Sequence, residues 1–205
     1  MRILELFAGS KSFAEAARSL GHEVFTSDID PAFNTDYCVD ILNFDISKLP
    51  LKPDVIWASP PCETFSVASI GYHWNTDNTP KTEAAKHGIE LVLKTKKIIQ
   101  ELKPKAYFIE NPRGKLRKLG YLNDSYQHTV TYCQYGDTRM KPTDIWTNYP
   151  FWQPRKMCKN GMPCHVSAPR GSRTGTQGIA TYYDRSRVPQ ELCKEILESL
   201  KNETI

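Results

Sequence analysis

The sequence predicts an α/β chain built on a Rossmann-like, mostly parallel sheet flanked by helices, with a small irregular insert near its carboxyl end. Three observations carry that expectation. Strand-like apolar runs alternate with helical stretches through residues 1–66, the pattern of strands joined by crossovers. The first run leads at once into a glycine turn and a helix, the opening of a nucleotide-binding unit in which backbone approaches ligand closely. Between residues 149 and 184 apolar periodicity is lost, and Pro150, Pro154, Pro163, Pro169, Gly171, Gly175 and Gly178 punctuate the chain.

Each element has its own warrant. Ile3–Phe7 reads as a buried strand, Ala8-Gly9-Ser10 as its turn, and Ser12–Leu20 as a helix stopped by Gly21. The next strand, His22–Ser27, ends in Asp28-Ile29-Asp30, where a carboxylate suits the hydroxyls of a ribose. Asp40 follows a short run and can accept a hydrogen bond from an adenine amino group. The strand Asp54–Ala58 runs into Ser59-Pro60-Pro61-Cys62, a thiol on a turn stiffened by two prolines at the end of a buried strand. A free cysteine is more often an inert buried residue; matching segments elsewhere single this one out. Residues 67–83 read as a long polar and aromatic loop, of the kind that is functional or mobile when it follows a nucleophile. A helix over Ala84–Leu102 is expected to turn Ile89, Leu93, Ile98 and Ile99 to the core and its lysines to solvent. The strand Ala106–Ile109 delivers Glu110 to a pocket position. The cluster Arg113, Lys115, Arg117 and Lys118 behind it is placed to meet phosphates. Thr143–Asn148 reads as a late strand.

Composition sets the limits. A chain of 205 residues accommodates one α/β domain. The expected division is a core over 1–148, an insert over 149–184 and a returning helix over 185–205. The balance of 27 basic to 23 acidic residues, net +4, permits nucleic-acid binding without demanding it. No apolar run reaches membrane-spanning length and no secretory leader opens the chain. Six cysteines lack disulfide-framework spacing, so they are expected reduced, in a cytoplasmic protein. Cys158, Cys164 and His165 are spaced C-x5-C-H, which is not a usual structural zinc pattern. With no fourth ligand evident, no metal is expected; Cys133 and Asp137 are the alternatives for a missing ligand.

Taken in order, these segments resemble the DNA cytosine C5-methyltransferases of short bacterial or phage type. Glu5-Leu6-Phe7-Ala8-Gly9 resembles the family's cofactor loop, Asp28-Ile29-Asp30 its ribose and adenine site, and Asp40-Ile41 the aspartate motif that follows. Ser59–Ser66 resembles the catalytic cysteine motif, Phe108-Ile109-Glu110-Asn111 the strand of the catalytic glutamate, and Gln134-Tyr135-Gly136 the start of a later motif. Three departures stand out: Pro112-Arg113-Gly114 after the glutamate strand, Asp137–Pro142 in place of a glutamine and two arginines, and Arg185-Ser186 before Val188-Pro189.

The resemblance implies a class I S-adenosylmethionine-dependent methyltransferase fold, with the cofactor held by Phe7, Ala8, Gly9, Asp28, Ile29, Asp40 and Pro60. It implies DNA as partner, with a cytosine flipped from the duplex, in a restriction-modification setting inside a bacterial or phage-infected cell. Cys62 would add to C6 and make C5 enamine-like, its thiolate favoured by a depressed pKa at the strand-to-loop junction. Glu110, protonated, would hydrogen-bond N3. Arg139 would contact O2, with Lys141 the lesser candidate. Residues 149–184, with Arg155, Lys156, Lys159, Arg170 and Arg173 among Phe151 and Trp152, would recognise the target. The chain is expected to be a monomer without a membrane partner. RNA is the alternative substrate, and a catalytically inactive nucleic-acid-binding relative the other alternative.

Overall fold

A computed structural model of the chain describes residues 1–167, 179 and 181–203. Its strands are β1 (Arg2–Leu6), β2 (Glu23–Asp28), β3 (Tyr37–Cys38), β4 (Val55–Ala58), β5 (Ala106–Pro112), β6 (Tyr126–Thr131) and β7 (Pro142–Thr147). They form one sheet in the order β3-β2-β1-β4-β5-β7-β6. The pairs from β3 to β5 are parallel, and β7 runs antiparallel to both β5 and β6. All four residues of β4 are buried, as expected where helices cover both faces of a parallel sheet.

The helices are α1 (Ser12–Ser19), α2 (Ile70–His73), α3 (Glu83–Leu102), α4 (Tyr182–Ser186) and α5 (Gln190–Ser199). α1 and α5 cover one face of the sheet, where Phe13, Trp57, Phe108, Leu192 and Ile196 share a core. Phe13 stacks on Trp57 at 4.5 Å between ring centroids. α3 covers the other face with Val92, Ile98 and Ile99 against Ile56 and Ile109. Thr82 caps α3 by accepting from the Ala85 N–H, and Lys103 ends it in a left-handed conformation. The buried stripe of α3 runs through Gly88, Leu91, Val92, Thr95, Ile98, Ile99 and Leu102. Leu93, expected in the core, is 44% exposed, because a spacing of three and four residues carries the stripe past it. The crossovers around β3 use short 3-10 turns rather than α-helices. Each is headed by an aspartate, Asp30, Asp40 or Asp45, whose side chain accepts from the N–H two residues on.

Three other expectations change. The loop over 67–83 is not wholly irregular: it contains α2, and Trp74 is buried and donates its indole N–H to the Thr64 carbonyl at 2.7 Å. The core does not stop at residue 148, because Tyr149 and Trp152 belong to it. Trp152 packs edge-on against Phe108 at 6.2 Å, so it is a core residue rather than a recognition aromatic. The basic cluster after β5 is divided. Lys115 is buried, donating to Asn78 Oδ1 and lying 5.3 Å over the Trp74 ring. Arg117 donates to Asp144 Oδ1 at 3.0 Å and to Thr129. Only Arg113 and Lys118 of the cluster are exposed.

Asp144 is fully buried, and desolvation pushes its carboxyl upward against the opposing pull of Thr129 and Arg117. Removing the guanidinium leaves a buried acid without its counter-charge. Arg117→Ala is therefore expected to lower unfolding free energy by about 3–5 kcal/mol, read by urea denaturation. Arg117→Ala combined with Asp144→Asn should recover a large part of that loss. A single variant as stable as the wild type would show that the pair contributes nothing.

Candidate active site

The parallel register brings four strand ends to one edge. Leu6 pairs with Ser27 and with Ala58, and Ala58 pairs with Ile109. The residues just beyond, Phe7, Asp28, Ser59 and Glu110, therefore line up across the carboxyl edge of the sheet. From β2 to β5 is three strand spacings, roughly 14 Å. An open α/β sheet binds ligands at this edge.

At the β1 end, Phe7 adopts φ 58, a left-handed conformation rare for an aromatic residue and typical of functional turns. Ala8 N–H then bonds the Ser27 carbonyl at 3.0 Å. At Gly9 a Cβ would meet the Phe33 ring at 3.0 Å, so the turn is tight enough to favour glycine. Glu5, buried within β1, accepts from the Ala14 N–H at 2.8 Å. It thereby caps α1, whose own cap residue Lys11 makes no side-chain capping bond. Burial pushes the Glu5 carboxyl up to about 8, against the backbone bonds from Ala14 and Phe13. Asp28 accepts from the Asp30 N–H at 3.0 Å. Desolvation raises its pKa, with the neighbouring backbone N–H groups opposing. Ile29 beside it is 63% exposed, an apolar face next to a carboxylate. Asp40 is half-buried and spends one oxygen on the Leu42 N–H.

Closure of this edge depends on the far end of the chain. Ser12 Oγ accepts from the Val188 N–H at 3.1 Å, and the Ser12 carbonyl accepts from Gln190 Nε2 at 2.8 Å. The closing helix is thus seated directly behind the Gly9 turn.

The Ser59–Cys62 turn is fixed from two sides. Trp57 Nε1 donates to Ser59 Oγ at 2.9 Å. Asn111 Nδ2 donates to the Pro60 carbonyl at 2.9 Å, tying the turn to the strand that carries Glu110. Beyond Cys62 the chain folds back so that Phe65 and Ser66 N–H groups bond the Cys62 carbonyl. The Phe65 carbonyl in turn accepts from the Lys115 N–H at 2.7 Å. At Gly114 a Cβ would stand 2.2 Å from the Phe65 oxygen, so only glycine allows the Glu110 loop to approach the Cys62 loop this closely.

Glu110 is buried and accepts from the Tyr132 hydroxyl at 2.9 Å. Burial and the Glu110 charge raise the Tyr132 pKa well above its ordinary value, which keeps the hydroxyl a donor. Cys62 does not have the depressed pKa expected of it. Burial raises its pKa first, then the Glu110 charge, and Lys141 pulls the other way. The strand end is too desolvated, and too close to a carboxylate, to favour a standing thiolate.

Arg139 is held otherwise than expected. It is buried, pairs with Asp137, and donates to the carbonyls of Asp184, Arg185 and Arg187. With all three guanidinium nitrogens engaged within the chain, it clamps the approach to α5 and is not presented to a base. Lys141, the lesser expectation, is the cation that acts on Cys62. It lies 4.7 Å over the Tyr132 ring, donates to the Arg185 carbonyl, and has φ 26. Arg155 likewise turns inward, pairing with Glu191 and Glu195 on α5. Arg170 and Arg173 lie outside the described residues. A cleft of about 210 Å³ between α3 and the amino end of β5, lined by Lys103, Tyr107 and Leu122, is at the opposite edge and takes no part in this arrangement.

Comparison with known proteins shows the family. Residues 1–127 match the family model of the C-5 cytosine-specific DNA methylases. Over 97% of the chain, and 99% of the relative, it is 34% identical to a Frog virus 3 (isolate Goorha) protein named "Probable DNA (cytosine-5)-methyltransferase". The chain belongs to the C-5 cytosine-specific DNA methylase family. That relative is from a frog virus rather than from a bacterium or phage. Among solved structures, the Entamoeba histolytica methyltransferase EhMeth superposes with a TM-score of 0.51 at 15% identity, over 77% of this chain and 56% of that one. A Spodoptera frugiperda DNMT2 mutant gives 0.50 at 18% identity, over 79% and 57%. The chain therefore spans little more than half the length of these two structures, whose likeness is one of fold: the class I methyltransferase sheet.

Within the family frame, the sequence reading missed three residues that build the site: Asn111, Gly114 and Tyr132. Asn111 and Gly114 were visible as neighbours of Glu110, but their partners Pro60 and Phe65 lie about fifty residues earlier in the chain. Nothing local to Tyr132 signals its bond to Glu110.

The electrostatics of Cys62 give a direct test. Iodoacetamide labelling of Cys62, followed by peptide mass mapping, should be slower than that of a free thiol at pH 8 and should still be rising past pH 9. Lys141→Ala should slow it and Glu110→Gln should speed it, from the signs of their charges. Fast labelling at pH 7, unaltered in both variants, would contradict the assignment.

Proposed function

We propose that this chain methylates cytosine at C5 in DNA through a covalent adduct of Cys62, using S-adenosylmethionine. The observation that carries this reading is the joining of Cys62 and Glu110 at one strand edge by the Asn111–Pro60 hydrogen bond. Phe7, Ala8 and Gly9 would lie along the cofactor, Asp28 would hold its ribose hydroxyls, Ile29 would face the adenine, and Asp40 and Pro60 would border it. The tight Gly9 turn and the exposed Ile29 beside the Asp28 carboxylate fit such a group. When bound, S-adenosylmethionine supplies an electrophilic methyl group.

The chain's own residues do the rest. Cys62 Sγ adds to C6 of the base as its thiol proton passes to N3, where Glu110 steadies it. As Glu110 shares that proton its charge no longer opposes the Cys62 thiolate, so base binding itself raises the nucleophile's reactivity. The C5 proton then leaves to solvent, and the proton at N3 returns to the departing Cys62 sulfur, which restores the aromatic ring and the thiol. Lys141 takes the role first given to Arg139, facing the polar edge of the base. The free cysteines suit a reducing cytoplasm, and no helix among the described residues is long and apolar enough to cross a membrane. Target choice falls to the insert over 149–184.

A duplex carrying 5-fluorocytosine should trap a covalent adduct on Cys62, because the fluorine leaves no C5 proton to lose. Cys62→Ser should trap nothing and transfer no methyl groups, while still binding cofactor. The same experiment with fluorinated RNA separates the substrates: adduct on RNA alone would replace DNA by RNA in the reading. Asp28→Ala should weaken cofactor binding by about 1–3 kcal/mol in calorimetry; wild-type affinity there would move the cofactor site. Methyl transfer by Cys62→Ser at the wild-type rate would remove the covalent mechanism.

A further inference from the structure

Away from the carboxyl edge, the fold assembles a second chemical group. Cys133 lies in the 3-10 turn Tyr132–Tyr135 that follows β6. Cys158, Cys164 and His165 come from the insert. One ligand atom from each lies within 4.8 Å of all the others. Cys164 Sγ is 3.7 Å from Cys133 Sγ and 3.9 Å from His165 Nδ1, and Cys158 Sγ is 3.4 Å from His165 Nδ1. Zinc–sulfur bonds of about 2.3 Å in a tetrahedron give ligand-to-ligand edges of about 3.8 Å. The Cys158–Cys164 pair, at 3.0 Å, is the one edge that a metal would lengthen appreciably.

The surroundings are those of a built site. Between Cys158 and Cys164 the chain makes a tight turn, with Met162 N–H bonding the Lys159 carbonyl and Gly161 at φ 85. That left-handed position suits glycine and returns Cys164 to face Cys158. Thr131 Oγ1 accepts from the Cys158 N–H at 2.8 Å, and Gln134 Nε2 donates to Cys164 Sγ at 3.3 Å. A side-chain N–H aimed at a sulfur is the kind of outer contact that supports a thiolate ligand. Val166 N–H bonds the Thr138 carbonyl and closes the segment onto the core. Cys133 and Cys158 are buried, and all three cysteines are free thiols. The sequence reading set a metal aside because no fourth ligand was evident; folding supplies one in Cys133. Asp137, the other alternative, is committed to Arg139.

We propose that Cys133, Cys158, Cys164 and His165 bind one zinc ion that fastens the base of the insert to the turn after β6. Three sulfurs and one imidazole nitrogen, without a carboxylate, are a donor set that favours zinc and closes its tetrahedron, as in a structural site. Binding converts the three thiols to thiolates and releases their three protons, with no change of oxidation state. The ligand Cys133 adjoins Tyr132, which donates to Glu110. The ion would therefore hold the recognition insert and the floor of the base site to the same short turn.

The test uses the whole protein, purified under reducing conditions with zinc supplied and then dialysed. Elemental analysis should find one zinc per chain. Replacement by cobalt(II) should give intense visible bands and a near-ultraviolet thiolate-to-cobalt band, both bleached by added zinc. His165→Ala, at a partly exposed position, should weaken cobalt binding by about tenfold or more and shift the visible bands. Cys164→Ser should remove part of the thiolate band, and Cys38→Ser should change nothing. Circular dichroism confirms that each variant is folded. If Cys164→Ser does not fold, cobalt spectra of the wild type and of His165→Ala decide. Substoichiometric zinc together with no cobalt bands would overturn the proposal. So would cobalt bands indifferent to these substitutions, or a Cys158–Cys164 disulfide found by mass spectrometry in the reduced preparation.

Discussion

The hydrogen bond from Asn111 to the Pro60 carbonyl is the constraint on which the site depends. Cys62 and Glu110 reach the carboxyl edge on neighbouring strands, but adjacency of strands fixes only their bases. Glu110 is still held in the ladder by its pairing with Ile145 of β7, but Cys62 lies beyond the end of β4, in a turn whose position the sheet no longer dictates. A side chain from the strand end, bonded to the backbone of the facing turn, carries the register of β4 and β5 out into that turn. The contact of Gly114 with the Phe65 carbonyl repeats the connection one turn further on. Such outer support is what holds a reacting pair to within fractions of an ångström.

The same closeness has an electrostatic cost. Bringing a buried carboxylate beside a half-buried thiol raises the thiol's pKa. That charge disfavours a standing thiolate at Cys62. Lys141 opposes that effect from a backbone conformation few side chains adopt. Arg139 has the complementary role of a clamp, spending its donors on Asp137 and on three carbonyls that lead into α5. Two cations two residues apart in sequence therefore differ in what they face: Lys141 acts on the Cys62 thiol, while the guanidinium of Arg139 is spent on Asp137 and the carbonyls before α5.

Much of this was legible in the sequence. Strands β1, β2, β4, β5 and β7 and helices α1 and α3 announce themselves through apolar runs, glycine stops and helical spacing. The turn residues Gly9, Asp28 and Cys62 sit where a parallel sheet must place strand ends. What could not be read were contacts between distant segments. Whether Arg139 or Lys141 faces the base depends on carbonyls more than forty residues later. Lys115 and Arg117 look like phosphate ligands in a run of positive charge, yet Asn78, Trp74 and Asp144 draw both inward. The cysteine cluster failed the spacing test for the same reason: one member comes from a separate element, and spacing rules describe ligands on one local stretch.

The seating of Val188 on Ser12 links positions 176 residues apart, and α5 completes the core layer that α1 begins. During synthesis, β1 and its glycine turn lack the helix α5, which shares their core layer, until the chain has been made past Ser199. Contacts of such long range are formed late and slowly. A nascent chain carrying Cys62 and Glu110 thus stays without a closed carboxyl edge until α5 docks, so a fragment lacking α5 would be expected to lack a formed edge.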